Sequence, residues 1–168
     1  DCAILYRTNA QSRLFEERFV VSNIPYKVVG GVNFYARREI RDLLCYLKTI
    51  DNARDDLAVR RIINVPKRGI GATTLAKVQE YANENELTFY NALKLAEDIP
   101  TLGRAAAKVK PFVTLIQTMR SKAPYLSVTQ LFSEVLEATG YMEELKAEGD
   151  EEAKARMENI DELVSKIA

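Results

Sequence analysis

Apolar residues recur every three or four positions along most of the chain after residue 37, with charged residues between them. This spacing is typical of amphipathic helices that share a core, and it predicts a mainly α fold that resembles a helical bundle. Pro111 lies inside one of these segments, so we expect that helix to be kinked or split in two. Thr88 and Ser127 are placed as N-caps, and Gly140 as a C-terminal stop. The predicted helices cover residues 38–50, 57–63, 75–85, 89–93, 103–121, 128–139, 141–146 and a last segment through 157–167.

The first 36 residues follow a different pattern. Residues 3–6 and 26–29 are short apolar runs that predict buried strands, and a helix is predicted from Ser12 between them. Strand, helix, strand is the unit of an α/β sheet, but two strands do not form a stable sheet alone. We therefore expect the edge of a larger sheet, or a homodimer that pairs these exposed strands. The helix should bury its apolar residues and expose its glutamates: Leu14, Phe15, Phe19 and Val20 inside, Glu16 and Glu17 outside.

The amino-acid composition excludes several kinds of binding and catalysis. There are 24 basic residues, 24 acidic residues and no histidine. The zero net charge excludes a whole-molecule attraction to DNA, so nucleic-acid binding would have to come from a local patch. The lack of histidine excludes histidine-based catalysis and most zinc sites. The two cysteines and the lack of a long apolar segment predict a cytoplasmic protein with no membrane partner.

The strongest candidate for chemistry is the segment Lys-Arg-Gly-Ile-Gly at residues 67–71, which joins two predicted helices. Glycines allow unusual backbone angles and close approach, and the free N–H groups at the start of a helix favour an anion. This helix-hairpin-helix pattern would hold the DNA backbone without reading base sequence. The alternative is a tight turn between helices that happens to carry two cations. The candidate DNA-binding residues here are Lys67, Arg68, Gly69, Ile70, Gly71 and Thr74.

Two other stretches carry donors or aromatic rings. Arg7 and Asn9 follow the first predicted strand, where ligands of open α/β sheets bind, and they could bind phosphate, sugar or base edges. The alternative there is a solvated turn. Further on, two aromatic residues stand beside several arginines and could stack on unpaired bases. The alternative is that the aromatic residues enter the core and the arginines pair with nearby carboxylates. The candidates of this second stretch are Phe34, Tyr35, Arg37 and Arg38.

The sequence contains no catalytic centre that we recognise. It has no Walker A pattern for nucleotide phosphates. Its acidic runs, Asp55-Asp56 and Asp150-Glu151-Glu152, are spaced as solvated loops rather than as metal ligands. We predict no catalytic residue, no metal site and no cofactor bound by this region.

Five segments, taken in order, resemble one family. They read AILYRTNAQSR, IPYKVVGGVNFYARREIRDLLCYL, RIINVPKRGIGATTLAKV, SVTQLFSEVLEATGYMEELKAE and RMENIDELVS. Together they resemble the PcrA/UvrD/Rep group of superfamily 1 DNA helicases, and the PcrA branch most closely. The resemblance covers essentially the whole chain.

The resemblance implies a piece of a bacterial ATP-dependent DNA helicase that moves 3′ to 5′ and acts in DNA repair and replication. Residues 1–36 would be part of the RecA-like subdomain 2A, and residues 37–168 would be the helical subdomain 2B. ATP and Mg²⁺ would be held by motor parts outside this region, so the fragment alone would be inactive. Partners would be single-stranded and duplex DNA, the other subdomains 1A, 1B and 2A, and repair or replication proteins.

The resemblance also implies roles for single residues. Arg7 and Asn9 match positions that hold single-stranded DNA, whereas Gly69, Ile70, Gly71 and Thr74 match the turn that meets the duplex backbone. The helical subdomain would swivel and so regulate unwinding. The alternative function is a protein-interaction and autoregulatory helical module without intrinsic DNA binding.

Overall fold

The structure, a computed structural model, describes residues 2–7, 11–29 and 34–167. Its contacts divide the chain into two compact units: Asp1–Arg41 together with Leu145–Ala168, here called the split unit, and Asp42–Glu144, here called the core unit. The predicted division at residue 36 concerns subdomains of a longer protein and stays a prediction. The α-helices are α1 Ser12–Val21, α2 Arg38–Asp51, α3 Asp56–Ile62, α4 Ala72–Glu84, α5 Phe89–Lys94, α6 Ala106–Lys122, α7 Val128–Thr139, α8 Tyr141–Glu148 and α9 Glu151–Ile167.

The predicted mainly α fold is confirmed, whereas the two predicted strands are not seen. Residues 3–6 and 26–29 have no regular secondary structure, and no strand occurs in the described ranges. A strand needs hydrogen bonds to a neighbouring strand, and neither run finds one among these residues. Only the helix of the predicted strand–helix–strand segment is present, as α1. None of the described helices is both long and apolar enough to cross a membrane.

The predicted orientation of α1 is wrong. The helix buries Arg13 and Glu16, which are 7% and 5% exposed, and it leaves Leu14 58% and Val20 67% exposed. The buried polar groups are hydrogen-bonded, which removes most of the cost of burying them. Glu16 accepts from the hydroxyl of Ser12 at 2.8 Å, and the Nε of Arg13 donates to Glu162 of α9 at 2.9 Å.

The core unit is organised around α6. One side of this helix is buried among the other helices of the unit, and each large apolar side chain buried there contributes about 1.5–3 kcal/mol. Pro111 lies inside α6 without splitting it, because the helix is continuous from Ala106 to Lys122. Pro111 itself is exposed, so the backbone hydrogen bond that it cannot make is lost on the solvent side. The buried residues of α6 are Ala106, Val109, Phe112, Val113, Ile116 and Met119.

The predicted caps are confirmed. The hydroxyl of Thr88 accepts from the N–H of Asn91 at 3.3 Å at the start of α5. Ser127 and Gln130 form a reciprocal capping box at the start of α7, with bonds of 3.2 and 2.9 Å. Gly140 ends α7 with a φ of +67°, a conformation that glycine adopts without strain.

Candidate nucleic-acid interface

The loop that joins α3 to α4, residues 63–71 and here called the GIG loop, presents its two glycines to solvent. Gly69 has a φ of +67°, as the sequence indicated for a glycine in a tight turn. Gly71 has an ordinary φ of −89°, and a Cβ added there would meet no atom within 4 Å. The fold therefore does not require a glycine at position 71, and its missing side chain leaves open surface beside the backbone. The Val65–Pro66 peptide bond in this loop is cis.

Asn64 and Ile70 fix the GIG loop from inside. The side-chain oxygen of Asn64 accepts from the N–H of Arg68 at 2.8 Å and from the N–H of Ile70 at 3.2 Å. Such local side-chain to backbone bonds hold a turn in one conformation. The side chain of Ile70 is only 2% exposed and is part of the apolar cluster of the core unit. Ile70 thus anchors the loop rather than facing solvent.

Arg68 is turned toward the protein. Its Nη1 donates to the carbonyl oxygens of Ile62, Ile63 and Pro66 at 3.0, 3.2 and 3.2 Å. The guanidinium therefore lies at the carbonyl end of α3, where a cation is favourable. It also lies 5.5 Å from the centre of the Phe112 ring. Through these contacts, Arg68 stabilises the conformation of the GIG loop.

Tyr46 of α2 completes the support of the loop. Its hydroxyl accepts from Nη2 of Arg68 at 2.6 Å and donates to the carbonyl oxygen of Val65 at 2.6 Å. Burial raises the pKa of Tyr46, although the neighbouring Arg68 acts to lower it, so the phenol stays protonated and keeps this donor.

Lys67 and the start of α4 form the outward side of the loop. Lys67 is exposed, and its backbone N–H donates to Glu144 at 3.3 Å. No side chain caps α4 at Gly71, so the first amides of this helix lack that partner, and residues 71–73 are exposed. Thr73 is exposed and Thr74 half-buried in the same turn. A cation beside a helix N-terminus is an arrangement that favours phosphate.

Lys108 of α6 also reaches the GIG loop, and the sequence did not point to it. Its ammonium group donates to the carbonyl oxygen of Gly69 at 3.4 Å. The two residues are 39 positions apart, and no local motif links them. Only the packing of α6 beside the loop brings them together.

Comparison with known proteins supports the resemblance found in the sequence. The model of the UvrD-like helicase C-terminal domain matches residues 1–168. The chain belongs to this family.

Relatives of this UvrD-like domain include bacterial helicases. The chain is 47% identical over 165 residues to the ATP-dependent DNA helicase PcrA of Bacillus subtilis and to that of Staphylococcus aureus (strain Mu50), and 44% identical to that of Staphylococcus epidermidis. Each match covers 98% of this chain. The chain spans 22–23% of the length of these relatives, so it corresponds to less than a quarter of each.

In the split unit of this UvrD-like domain, Phe34 and Arg37 are interior residues. The ring of Phe34 is fully buried, with the guanidinium groups of Arg13 and Arg37 at 5.6 and 5.0 Å from its centre. Arg37 donates to Asn159 at 2.8 Å and to Ser12 at 2.9 Å. These contacts occupy the ring and the guanidinium within the unit.

The remaining candidates lie at the surface or outside the described residues. Tyr35 is 40% exposed, and its hydroxyl accepts from Lys166 at 2.7 Å. Arg38 is exposed on the first turn of α2. Arg7 is exposed, with its backbone N–H bonded to Gln11 at 3.0 Å. Asn9 falls outside the described residues. In the GIG loop, by contrast, Lys67, Gly69 and Gly71 are exposed next to one another, with Thr74 half-buried beside them.

Proposed function

We propose that this chain is the part of a PcrA-type ATP-dependent DNA helicase that holds the backbone of duplex DNA through the GIG loop. The observation that supports this proposal is that the loop has an inner side bonded to the protein and an outer side exposed to solvent. Arg68, Asn64 and Ile70 fix it from within, while Lys67 and the uncapped start of α4 point outward. The contacts would go to phosphates, so binding would not depend on base sequence.

The open surface at Gly71 supports close approach of a phosphate. Because no atom lies within 4 Å of a Cβ built there, the glycine is not needed to avoid a clash within the protein. A ligand that approaches the backbone amides of α4 would benefit from the missing side chain. Thr74 in the same turn would add a hydroxyl. Arg68 enters the proposal as a positioning residue, because its guanidinium is bonded inside the loop.

The parent protein would unwind DNA 3′ to 5′ in repair and replication in the bacterial cytoplasm. The relatives' name, ATP-dependent DNA helicase, supports the helicase activity, whereas the direction, the processes and the location rest on the sequence resemblance. The residues present do not fit a nucleotide site: the sequence has no Walker A pattern, and the described residues include no cluster of three metal-ligating side chains. ATP and Mg²⁺ would therefore be bound by other parts of the helicase, and this region alone would be inactive.

The split unit would join the motor of the parent. The outer face of α1 exposes Leu14, Val20 and Val21. The rest of subdomain 2A would cover this face. Its sheet would also supply neighbouring strands with which residues 3–6 and 26–29 could form backbone hydrogen bonds. Residues 1–36 would then belong to 2A and residues 37–168 to 2B. Arg7 and Asn9 would hold single-stranded DNA beside that sheet.

A salt titration of duplex binding tests the proposed function. We expect measurable affinity for a mixed-sequence duplex, with log Kd changing linearly with log salt because phosphate contacts release counterions. Lys67→Ala should lower the slope by about 0.9, the value for one contact. The matched control is Lys48→Ala, an exposed lysine on α2. No duplex binding near 50 mM salt would refute the proposal for this chain.

A second candidate function is a protein-interaction and autoregulatory module, and a groove in the core unit favours it. The groove runs between α6 and α7, with an apolar floor that includes Pro111, Leu115 and Met119. Lys122 and Glu134 pair at its rim, 2.6 Å apart. Replacing Leu115 by Arg should abolish capture of a repair or replication protein under this function while leaving the duplex titration unchanged. If Lys67→Ala weakens duplex binding and Leu115→Arg does not affect protein capture, the first function is favoured.

A further inference from the structure

Lys108 covers an acceptor on the outward side of the GIG loop. Its ammonium group lies 3.4 Å from the carbonyl oxygen of Gly69, and a Cβ added to Gly69 would lie 3.8 and 3.9 Å from Cδ and Cε of the lysine. An uncovered carbonyl at this place would repel a phosphate, because its oxygen carries a partial negative charge. The lysine places a full positive charge over that oxygen.

The ammonium group of Lys108 is not neutralised by a carboxylate within the described residues, so it is available to an anionic partner. Lys110, two residues later on α6, pairs with Glu97 at 2.8 Å, and Lys122 at the end of the helix pairs with Glu134 at 2.6 Å. In the part of the chain that the structure describes, no carboxylate forms a salt bridge with Lys108. Its one bond among the described residues, to a neutral carbonyl at 3.4 Å, uses one of the three N–H donors of the ammonium group. The exposed group can therefore donate to an anion as well, without breaking an ion pair.

We propose that Lys108 is a further phosphate-binding residue of the duplex interface. This inference rests on the proposed function of the GIG loop and extends it to a second element, α6. Lys67 projects from the loop itself, whereas Lys108 reaches it from the first turn of α6. The interface would then combine two cations from separate elements with the first amides of α4. Both lysines act on the backbone, so binding stays independent of base sequence.

The test compares salt titrations of duplex binding for the full 168-residue chain and five variants, one of which is the single variant Lys67→Ala. We expect Lys108→Ala to lower affinity severalfold for every duplex sequence and to lower the log–log salt slope by about 0.9. Lys108→Arg should keep the slope. Lys110→Ala is the matched control, since it removes the same charge two residues away, and it should change neither quantity. Lys67→Ala combined with Lys108→Ala should lower the slope by about 1.8, twice the single value.

The outcomes separate this inference from the proposed function. If Lys67→Ala lowers the slope and Lys108→Ala behaves like Lys110→Ala, the role of Lys108 is refuted and that of the loop stands. If the wild-type chain does not bind duplex, both are refuted. Thermal unfolding of each variant shows whether the fold is intact, and Lys108→Arg shows whether a positive charge alone restores binding.

Discussion

The two units of this chain differ in the charged side chains that they bury and in the apolar side chains that they expose. The core unit encloses large apolar residues such as Phe112 and Ile116, both 0% exposed. The split unit buries Phe34 and Ile160 as well, but it also buries the charged residues Arg13, Glu16 and Arg37, and it exposes apolar residues of α1. The core unit can thus form a stable centre from its own residues, whereas the split unit leaves its apolar face for something else to cover. Their outer surfaces differ as well: under the proposed function, the GIG loop of the core unit contacts DNA, and the apolar face of α1 in the split unit contacts protein.

The largest expected effect comes from truncating the apolar centre of the core unit. Ile116→Ala should lower the free energy of unfolding by about 2–5 kcal/mol, because it leaves a cavity among packed side chains. Leu14→Ala on the exposed face of α1 is the matched truncation and should change it by less than about 0.5 kcal/mol. Urea unfolding measures both. Equal losses would mean that α1 is covered after all, and the contrast between the units would fail.

The buried polar network should be nearly as important to the split unit. Arg37→Ala leaves Asn159 and Ser12 without their donor, and we expect a loss of about 2–3 kcal/mol. Arg41→Ala, which removes an exposed arginine one turn later on α2, is the control. Hydrogen exchange read on α9 would show faster opening in the first variant only. Unchanged protection of α9 would show that the network is dispensable.

Removing the hydroxyl of Tyr46 should weaken the support of the GIG loop. Tyr46→Phe loses bonds to Val65 and Arg68, for which we expect about 1–2 kcal/mol. Duplex affinity should fall while the salt slope stays constant, because no phosphate contact is removed. Tyr125→Phe, at an 87% exposed position, is the control. A changed slope would instead make Tyr46 part of the contact surface.

Tyr46 also gives the core unit a dependence on alkaline pH. Because its pKa is raised in the folded state, mainly by burial, the unfolded chain loses this proton first. The contribution of Tyr46 to the free energy of unfolding is therefore fully present below the ordinary tyrosine pKa of about 10. It is lost as the pH rises through the higher pKa of the folded state. Tyr46→Phe should remove this part of the loss, which urea unfolding at pH 9 and pH 11 would detect.

The smallest change in stability is expected at Gly71, where binding and stability should move in opposite directions. The backbone at Gly71 has the extended conformation of an N-cap, with φ −89° and ψ 170°. Gly71→Asp should cap α4 and stabilise the chain by a few tenths of a kcal/mol. The same carboxylate would occupy the amides offered to phosphate and repel it, so duplex affinity should fall. Affinity equal to wild type would show that the start of α4 does not face DNA.

The α-helices were predictable because their signals are local. Thr88, Ser127 and Gly140 mark helix ends through bonds to residues at most four positions away, and the apolar spacing of α6 fixed its buried side. The orientation of α1 was not predictable, because its polar side chains find partners such as Glu162, 149 residues from Arg13. Strands at residues 3–6 and 26–29 depend in the same way on partners beyond the local sequence.

The sequence alone identified the GIG loop, because turn glycines, cations and a helix start are adjacent in the chain. Only the tertiary structure decided which of those side chains point into the protein and which point to solvent. It turned Arg68 inward to the carbonyls of α3, left Lys67 outside, and brought Lys108 from α6 to Gly69. The physical reason is that the direction of a long cationic side chain is decided by the donors and acceptors that packing places around it, and these come from distant parts of the chain.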